Sequence, residues 1–253
     1  GFVSSFLGIG GGSIAVPVLY SAFPNATPLE VISVSLGSIF LISNLNLIQY
    51  AKHNVLPPRK QIPLMACACL AGGLLGSKLV IGLDPVYIKK LFGFMLVIIT
   101  LKTILKKEKL SQTLENDSVS NKEITLISFF GSILSSLTGI GGGIIFTPAF
   151  LEISKLKIRK VAPYANLGMV FATGFGVTPH LLTSSQYASG IDVPGLNFLQ
   201  VGNVNLSVVL FLAAGSLISS PLGVKLNQRV SKANKKRVLV IILIILAVKT
   251  ILS

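Results

Sequence analysis

Long runs of apolar residues, separated by short polar segments, dominate the pattern along the chain. A helix needs about 20 apolar residues to cross the hydrocarbon core of a bilayer, because each residue adds only 1.5 Å. Eight segments approach this length, and they are residues 1–20, 29–51, 62–82, 87–105, 124–151, 161–182, 204–223 and 237–252. The pattern therefore predicts an all-α, polytopic membrane protein.

The chain divides into two similar halves on either side of one polar segment. This segment, residues 106–122, is rich in Lys, Glu, Ser and Asn and is typical of a solvated linker. The pentapeptide Gly-Ile-Gly-Gly-Gly begins at Gly8 and again at Gly139, 131 positions later. Internal duplication of this kind is typical of membrane transporters. We therefore predict a first transmembrane repeat over 1–105, a polar cytoplasmic linker over 106–122 and a second transmembrane repeat over 123–253.

The positions of Lys and Arg indicate that the two halves are inverted relative to each other. Loops 52–60, 102–122, 152–160 and 224–237 carry three, five, four and six basic residues, whereas loop 183–203 carries none. Eight full crossings would place basic loops on both sides of the membrane. If each glycine-rich segment enters the membrane and returns, all four basic loops share the cytoplasmic side, as the positive-inside rule requires. Each half then holds one re-entrant segment and about three transmembrane helices.

Composition supports lipid as the solvent. Hydrophobic residues make up 51% of the chain and charged residues 12%, about half of the roughly 25% that is usual for soluble proteins. The mean hydropathy is +0.79. The 22 Lys and Arg outnumber the 8 Asp and Glu, but their clustering between apolar runs is explained by membrane orientation. We therefore predict no nucleic-acid partner.

The glycine-rich pentapeptides differ from nucleotide-binding loops. Ser13 and Ile144 occupy the sixth position, so neither copy completes G-x-G-x-x-G, and no G-x-x-x-x-G-K-[ST] sequence occurs. Four glycines in five residues instead predict an interrupted helix, because each glycine costs about 1 kcal/mol relative to alanine in a helix interior. Pro17 and Pro148, nine residues after the first glycine of each copy, suit a second break or the end of an element.

An interrupted helix in each half predicts an anion-binding site. The half-helix after a break presents unpaired backbone N–H groups, and its dipole favours negative charge. Two inverted copies would bring two such ends together near the membrane midplane. The glycines of the predicted substrate site are Gly8, Gly10, Gly11, Gly12, Gly139, Gly141, Gly142 and Gly143. The alternative is that these glycines only allow close helix packing, as small residues do in membranes.

Polar residues inside the predicted helices are further candidates. Ser35 and Asn166 are 131 positions apart, each followed by Leu-Gly, and could hydrogen-bond one ligand from symmetric positions. The alternative is that they hold helices together, like Asn44 and Asn46, with about 0.6 kcal/mol for each interaction. His180, near the end of a predicted span, is more typical of a structural histidine with hydrogen-bond partners than of a proton carrier.

The residues that metal sites and membrane-embedded catalysis require are scarce. All eight acidic residues fall in loops or at span ends, so the hydrophobic middle lacks the carboxylate that usually carries a coupled proton. Cys67 and Cys69 lie two positions apart and form no metal-binding or redox pattern. H-E-x-x-H and G-x-S-x-G are absent from the sequence. We therefore predict that the protein is not an enzyme and holds no metal or cofactor.

The doubled glycine motif resembles that of a known family. Two hydrophobic halves, each opened by Gly-Ile-Gly-Gly-Gly and a later proline and joined by a polar linker, are similar to the sulfite exporter TauE/SafE family. The resemblance extends over nearly the whole chain. It implies a multi-pass transporter of the bacterial cytoplasmic membrane that exports a small sulfur-containing anion, such as sulfite or sulfoacetate.

A second hypothesis keeps the membrane location but changes the mechanism. The chain could be the membrane subunit of a larger ATP-driven transporter, with the basic segment 224–237 as a docking surface, and copurification of an ATPase would distinguish the two. The predicted partners are otherwise the transported anion and the lipid bilayer, and the sequence is also compatible with a homo-oligomer.

Overall fold

The described part of the chain is almost entirely helical, which confirms the predicted all-α class. The computed structural model describes residues 12–52, 56–84, 86–88, 90, 93–94, 97–98, 101, 116, 119–183, 190–191, 199–229 and 240–241. Its helices are α1 (Gly12–Ala22), α2 (Pro28–Lys52), α3 (Ile62–Ile81), α4 (Asn121–Thr138), α5 (Gly143–Glu152), α6 (Ile158–Leu182) and α7 (Leu206–Arg229). An antiparallel hairpin of two short strands, β1 (Gln200–Val201) and β2 (Val204–Asn205), precedes α7.

Most helix bounds follow the predicted apolar segments to within a few residues. One difference is that segment 124–151 forms two helices, α4 and α5, because four residues between them are not helical. Another is that α4 begins at Asn121, inside the predicted linker, where Ser120 and Glu123 form a capping box. Segment 237–252 lies almost wholly outside the described residues, and of segment 87–105 the structure describes eight residues.

The distribution of polar and apolar side chains suits a lipid environment. Several serines on the helices are fully buried, Ser33, Ser35 and Ser132 among them, whereas Phe211 and Ile218 are 64% and 78% exposed. In water, a protein would be more stable with the serines exposed and the large apolar side chains buried. Among the described helices, α2 over Pro28–Ile48 and all of α3 are long and apolar enough to cross a membrane.

Helices α3, α4 and α6 run parallel to one another. Cys69 Sγ on α3 lies 3.6 Å from the carbonyl oxygen of Ser128 on α4 and 3.8 Å from that of Gly168 on α6. Eight residues further along α3 and α6, the Ser77 hydroxyl donates a hydrogen bond of 2.5 Å to the carbonyl oxygen of Gly176. Because both contacts advance by the same number of residues, the two helices keep their register over about 12 Å.

Helices α2 and α6, in contrast, run in opposite directions. Near the end of α2, Asn46 Nδ2 donates a hydrogen bond of 3.3 Å to Asn166 Oδ1, near the start of α6. Near the start of α2, the Ser33 hydroxyl donates to the carbonyl oxygen of Asn203, whose own N–H donates to the carbonyl oxygen of His180, near the end of α6. The start of α2, the end of α6 and the β1–β2 hairpin therefore lie together, and we call this the hairpin end.

The chain enters α4 and leaves α5 at the opposite end of the bundle. The Asn116 N–H donates to the carbonyl oxygen of Lys155, and the Lys157 N–H donates to that of Asn116, at 2.8 and 3.1 Å. Gln61 Nε2, just before α3, donates to the carbonyl oxygen of Val119 at 2.7 Å. This end carries basic residues, and we call it the basic end. In its loops and at the start of α6, the basic residues that the structure describes are Arg59, Lys60, Lys155, Lys157, Arg159 and Lys160.

A buried carboxylate organises the hairpin end. The Glu30 side chain is 7% exposed and accepts hydrogen bonds from the N–H and the hydroxyl of Thr27, the residue before α2. Its second oxygen accepts from the Gly190 N–H at 2.9 Å. Glu30 therefore caps α2 and holds the loop after α6 against it, which is a structural role at a span end.

Candidate functional site

The second glycine-rich segment interrupts the helix as its sequence predicts. Helix α4 ends at Thr138, and Gly139 donates its N–H to the carbonyl oxygen of Ser135 at 2.9 Å. Gly139, Gly141 and Gly142 have φ values of 69°, 74° and 81°, a region that side chains other than hydrogen strongly disfavour. Helix α5 then begins at Gly143. We call residues 139–142 the glycine loop.

The glycine loop packs closely against α2. A Cβ atom on Gly139 would lie 3.0 Å from the Cα of Ile32, and one on Gly141 would lie 2.5 Å from Ile39 Cδ1. The Ser35 hydroxyl donates a hydrogen bond of 2.7 Å to the carbonyl oxygen of Gly139. Ser35 therefore fixes the position of the loop, a role that differs from the predicted direct hydrogen bond to a ligand.

The start of α5 offers unpaired backbone donors in a buried position. Gly142, the residue before the helix, supplies no side-chain cap, and its carbonyl oxygen accepts from the N–H groups of Ile145 and Phe146 at 2.9 and 2.7 Å. The N–H groups of Gly143 and Ile144, the two residues before Ile145, have no carbonyl partner within the helix. The loop and Gly143 are buried, so the positive end of the helix dipole lies inside the protein.

The space beside Gly142 is filled by protein atoms. A Cβ atom there would lie 2.5 Å from Phe146 Cε2 and 3.6 Å from Ser135 Cβ. The Phe146 ring therefore already occupies the space that a side chain at Gly142 would take. Any ligand of the loop must approach from the N–H side.

The first glycine-rich segment is described only in part. Gly8, Gly10 and Gly11 lie outside the described residues, whereas Gly12 begins α1. Helix α1 contacts α5, and Val16 Cγ2 would lie 3.2 Å from a Cβ atom on Gly139. The helix that follows the first copy of the motif therefore touches the glycine loop of the second.

Pro17 and Pro148, which the sequence interpretation placed at a second break or an element end, lie inside helices. Pro17 is within α1 and Pro148 within α5. Each lacks the N–H that would bond one turn back, so the carbonyl groups near the start of each short helix lose a partner. The prolines therefore weaken the first turns of α1 and α5 without ending these helices.

The structure does not bring Ser35 and Asn166 together. Asn166 donates from Nδ2 to the carbonyl oxygen of Ala162 at 2.9 Å and accepts from Asn46. Ser35 and Asn46 are 11 residues apart on α2, which corresponds to about 16 Å along the helix. A small anion cannot span that distance, so this structure does not bring the two side chains to one ligand. The Asn46–Asn166 pair instead links α2 to α6.

Several other polar residues bond within their own helices. Asn44, Thr173 and Thr178 each donate a side-chain hydrogen bond to the carbonyl oxygen four residues earlier. Cys69 is buried, which fits a packing role, whereas Cys67 is exposed. Within the described part of the chain, no three His, Cys, Asp or Glu side chains lie close enough to hold a metal ion.

His180 is fully buried, yet its side chain has no hydrogen-bond partner among the described residues. Among these residues, neither Nδ1 nor Nε2 of the ring has a hydrogen-bond partner. The expectation of a structural histidine with satisfied nitrogens is therefore wrong for the described surroundings. The hydroxyl groups of Ser135 and Ser136, which sequence reasoning missed, are also buried and without a partner there. Their position directly before the glycine motif was the signal that could have identified them.

Comparisons with known proteins agree on one family. The sulfite exporter TauE/SafE family matches residues 1–250 of the chain. A protein of Haemophilus influenzae is 29% identical over 97% of this chain and 89% of its own length. One of Methanocaldococcus jannaschii is 27% identical over 91% and 84%, and a second Haemophilus influenzae protein is 28% identical over 100% and 94%. All three are named probable membrane transporter proteins. No solved structure matches the chain significantly.

Proposed function

The chain belongs to the sulfite exporter TauE/SafE family, and from this premise we propose that it exports a small sulfur-containing anion, such as sulfite or sulfoacetate. It is a multi-pass membrane protein, like the membrane transporters to which it is similar. The proposed activity is transport without a chemical reaction.

One observation carries the proposal of an anion as substrate. The buried start of α5 presents unpaired backbone N–H groups beside a loop in which three residues have positive φ. Backbone donors at a helix start bind anions without a basic side chain, which leaves the site neutral when it is empty. A neutral site suits a transporter, because a strongly basic one would hold the anion too tightly to release it.

We further propose that the two halves are inverted repeats and that α4 and α5 form a re-entrant hairpin. Three observations support this arrangement. Helices α1 and α2 start at Gly12 and Pro28, and α5 and α6 start at Gly143 and Ile158, 130 or 131 positions later. The related helices α2 and α6 run in opposite directions. The chain enters α4 and leaves α5 at the same, basic end.

The inverted arrangement predicts which positions face the cytoplasm. In a background with Cys67→Ala and Cys69→Ser, single cysteines at Lys157 and Lys232 should react with a membrane-impermeant maleimide from the same, cytoplasmic, side. A cysteine at Gln200, at the hairpin end, should react only from the other side. The measurement is labelling in intact cells compared with inside-out vesicles.

Two outcomes would contradict this topology. One is labelling of the Lys157 and Lys232 positions from opposite sides, and the other is labelling of the Gln200 position from the same side as Lys157. Serine is chosen to replace Cys69 because two carbonyl oxygens lie 3.6 and 3.8 Å from the thiol and can accept a hydrogen bond from the serine hydroxyl. Transport by the double variant is the control for its fold.

Export of an anion does not require a second ion. An inside-negative membrane potential favours the exit of one negative charge by about 2.3 kcal/mol per 100 mV, close to a fiftyfold concentration ratio. No Asp or Glu lies in the middle of a described helix, and the buried Glu30 is engaged in capping α2. We therefore propose uncoupled export that follows the potential. Flux by the purified protein without ATP would also exclude the ATP-driven hypothesis.

A further inference from the structure

In the part of the chain that the structure describes, three buried polar residues without a hydrogen-bond partner lie close to the level of the glycine loop along the helices. Within the described residues, the hydroxyls of Ser135 and Ser136 and both ring nitrogens of His180 are buried and lack a hydrogen-bond partner. All three residues are 0% exposed. Buried polar atoms in native proteins nearly always have a partner, so a group without one requires an explanation such as a bound ion or ligand. The others in this state are Ser128, Ser154 and Ser207.

The contacts of Ser135 and Ser136 place these two residues next to the glycine loop. The carbonyl oxygen of Ser135 accepts a hydrogen bond from the Gly139 N–H. The Cβ atom of Ser135 would lie 3.6 Å from a Cβ atom placed on Gly142. Ser136 Oγ lies so close to Gly176 on α6 that a Cβ atom there would overlap it. The two hydroxyls therefore sit in the last turn of α4, immediately before the chain turns into the loop.

The parallel register of the helices places His180 at the level of the loop. Gly176 on α6 lies at the level of Ser136 on α4, and these helices run in the same direction. His180 follows Gly176 by four residues, which is one turn and about 6 Å along the same face of α6. One turn beyond Ser136 on α4 is Ile140, within the glycine loop.

We propose that His180, Ser135 and Ser136 are the side-chain ligands of an anion that binds at the glycine loop. This inference rests on the proposed function and extends the site to residues outside the glycine motif. A neutral imidazole donates one N–H and a serine hydroxyl donates one O–H, so the three residues add directional donors to the backbone N–H groups of Gly143 and Ile144. The fitting ligand is a small oxyanion with several acceptor oxygens.

The proposal is tested by binding and stability measured together. Wild-type protein in detergent is heated with increasing sulfite, sulfoacetate, thiosulfate or sulfate, and the remaining monodisperse fraction is measured by size exclusion. A bound anion raises the melting temperature with its concentration. We expect His180→Leu to keep or raise the melting temperature without anion, because it removes two unpartnered buried nitrogens. We expect the same variant to weaken anion binding at least tenfold, because a donor to a charged group is lost.

Two further variants separate a ligand from a structural residue. His180→Gln keeps an N–H donor and should retain more affinity than His180→Leu. Ser128→Ala is the matched control for Ser135→Ala, since Ser128 is equally buried on α4 but lies two turns nearer the basic end. We expect Ser135→Ala to weaken binding and Ser128→Ala to leave it unchanged.

The possible results have distinct meanings. A His180→Leu protein with wild-type affinity for the anions, or one that is destabilised while its affinity is unchanged, would overturn the inference and leave the proposed function standing. A folded wild-type protein whose melting temperature none of the four anions raises would overturn the proposed function, and the inference with it.

Discussion

Replacing Gly142 with valine should leave little folded protein and abolish anion transport. Gly142 has φ of 81°, which costs a residue with a side chain about 1–2 kcal/mol. Its Cβ atom would lie 2.5 and 2.6 Å from Cε2 and Cδ2 of Phe146, so the ring must leave a fully buried position. Overpacking of this kind costs about 1–3 kcal/mol more. The combined loss is a large part of the stability of an ordinary domain.

The measurement is thermal unfolding in detergent, followed by a thiol-reactive fluorogenic dye in a Cys67→Ala background. Cys69 is then the only thiol, and it is 0% exposed in the folded protein. Gly215→Val on α7 is the matched control, because among the described residues no atom outside the backbone of its own helix lies within 4 Å of its Cβ position. A Gly142→Val protein that melts and transports like the Gly215→Val protein would show that the loop conformation is not required.

Replacing Gly72 with alanine should separate α3 from α4. A Cβ atom on Gly72 would overlap the carbonyl oxygen of Phe129 and lie 3.1 Å from Ser132 Cβ. A backbone oxygen cannot rotate away as the end of a side chain can, so the two helices must move apart. That movement would also break the hydrogen bond of 2.9 Å from the Ser132 hydroxyl to the carbonyl oxygen of Cys69. We expect a loss of about 3 kcal/mol in the free energy of unfolding.

Gly82→Ala, at the end of the same helix, is the control for Gly72→Ala. Gly82 has φ of −86°, and a Cβ atom there would meet its nearest neighbour at 3.6 Å, an ordinary contact. We expect this variant to melt within a degree or two of the parent protein. Equal melting temperatures for the Gly72→Ala and Gly82→Ala proteins would contradict the close α3–α4 packing.

The sequence predicts most of the helices and the position of the glycine loop for clear physical reasons. Apolar runs of membrane length have one stable backbone structure in lipid, so segment 29–51 could be assigned to α2 within one residue at each end. Adjacent glycines alone do not interrupt a helix, since Gly72 and Gly73 lie within α3. Four glycines in five residues disfavour a helix more strongly, so the break after Thr138 could be predicted without tertiary information. The capping box of Ser120 and Glu123 is a signal present in the sequence, but the predicted boundary between linker and second repeat separates these two residues.

Contacts between helices could not be predicted from one sequence. The bond from Ser35 to the carbonyl oxygen of Gly139 depends on how α2 is rotated and shifted against the loop, and composition does not determine either. The separation of Ser35 from Asn166 has the same cause. The repeat makes their positions equivalent, but inverted copies place equivalent residues at opposite depths unless they lie near the symmetry axis. The β1–β2 hairpin was missed because strands of two residues have no detectable alternation.

The most direct test of the central claim is sulfite efflux from liposomes that contain the purified wild-type protein. An inside-negative potential is imposed with a potassium gradient and valinomycin, under anaerobic conditions and without ATP, and sulfoacetate, thiosulfate and sulfate are compared with sulfite. We predict efflux of at least one sulfur-containing anion well above that of protein-free liposomes. The rate should rise with the potential and be unchanged by removal of sodium or of a pH gradient. Efflux of all four anions at the protein-free rate would contradict anion export, and flux that requires a sodium or pH gradient at fixed potential would contradict the uncoupled mechanism.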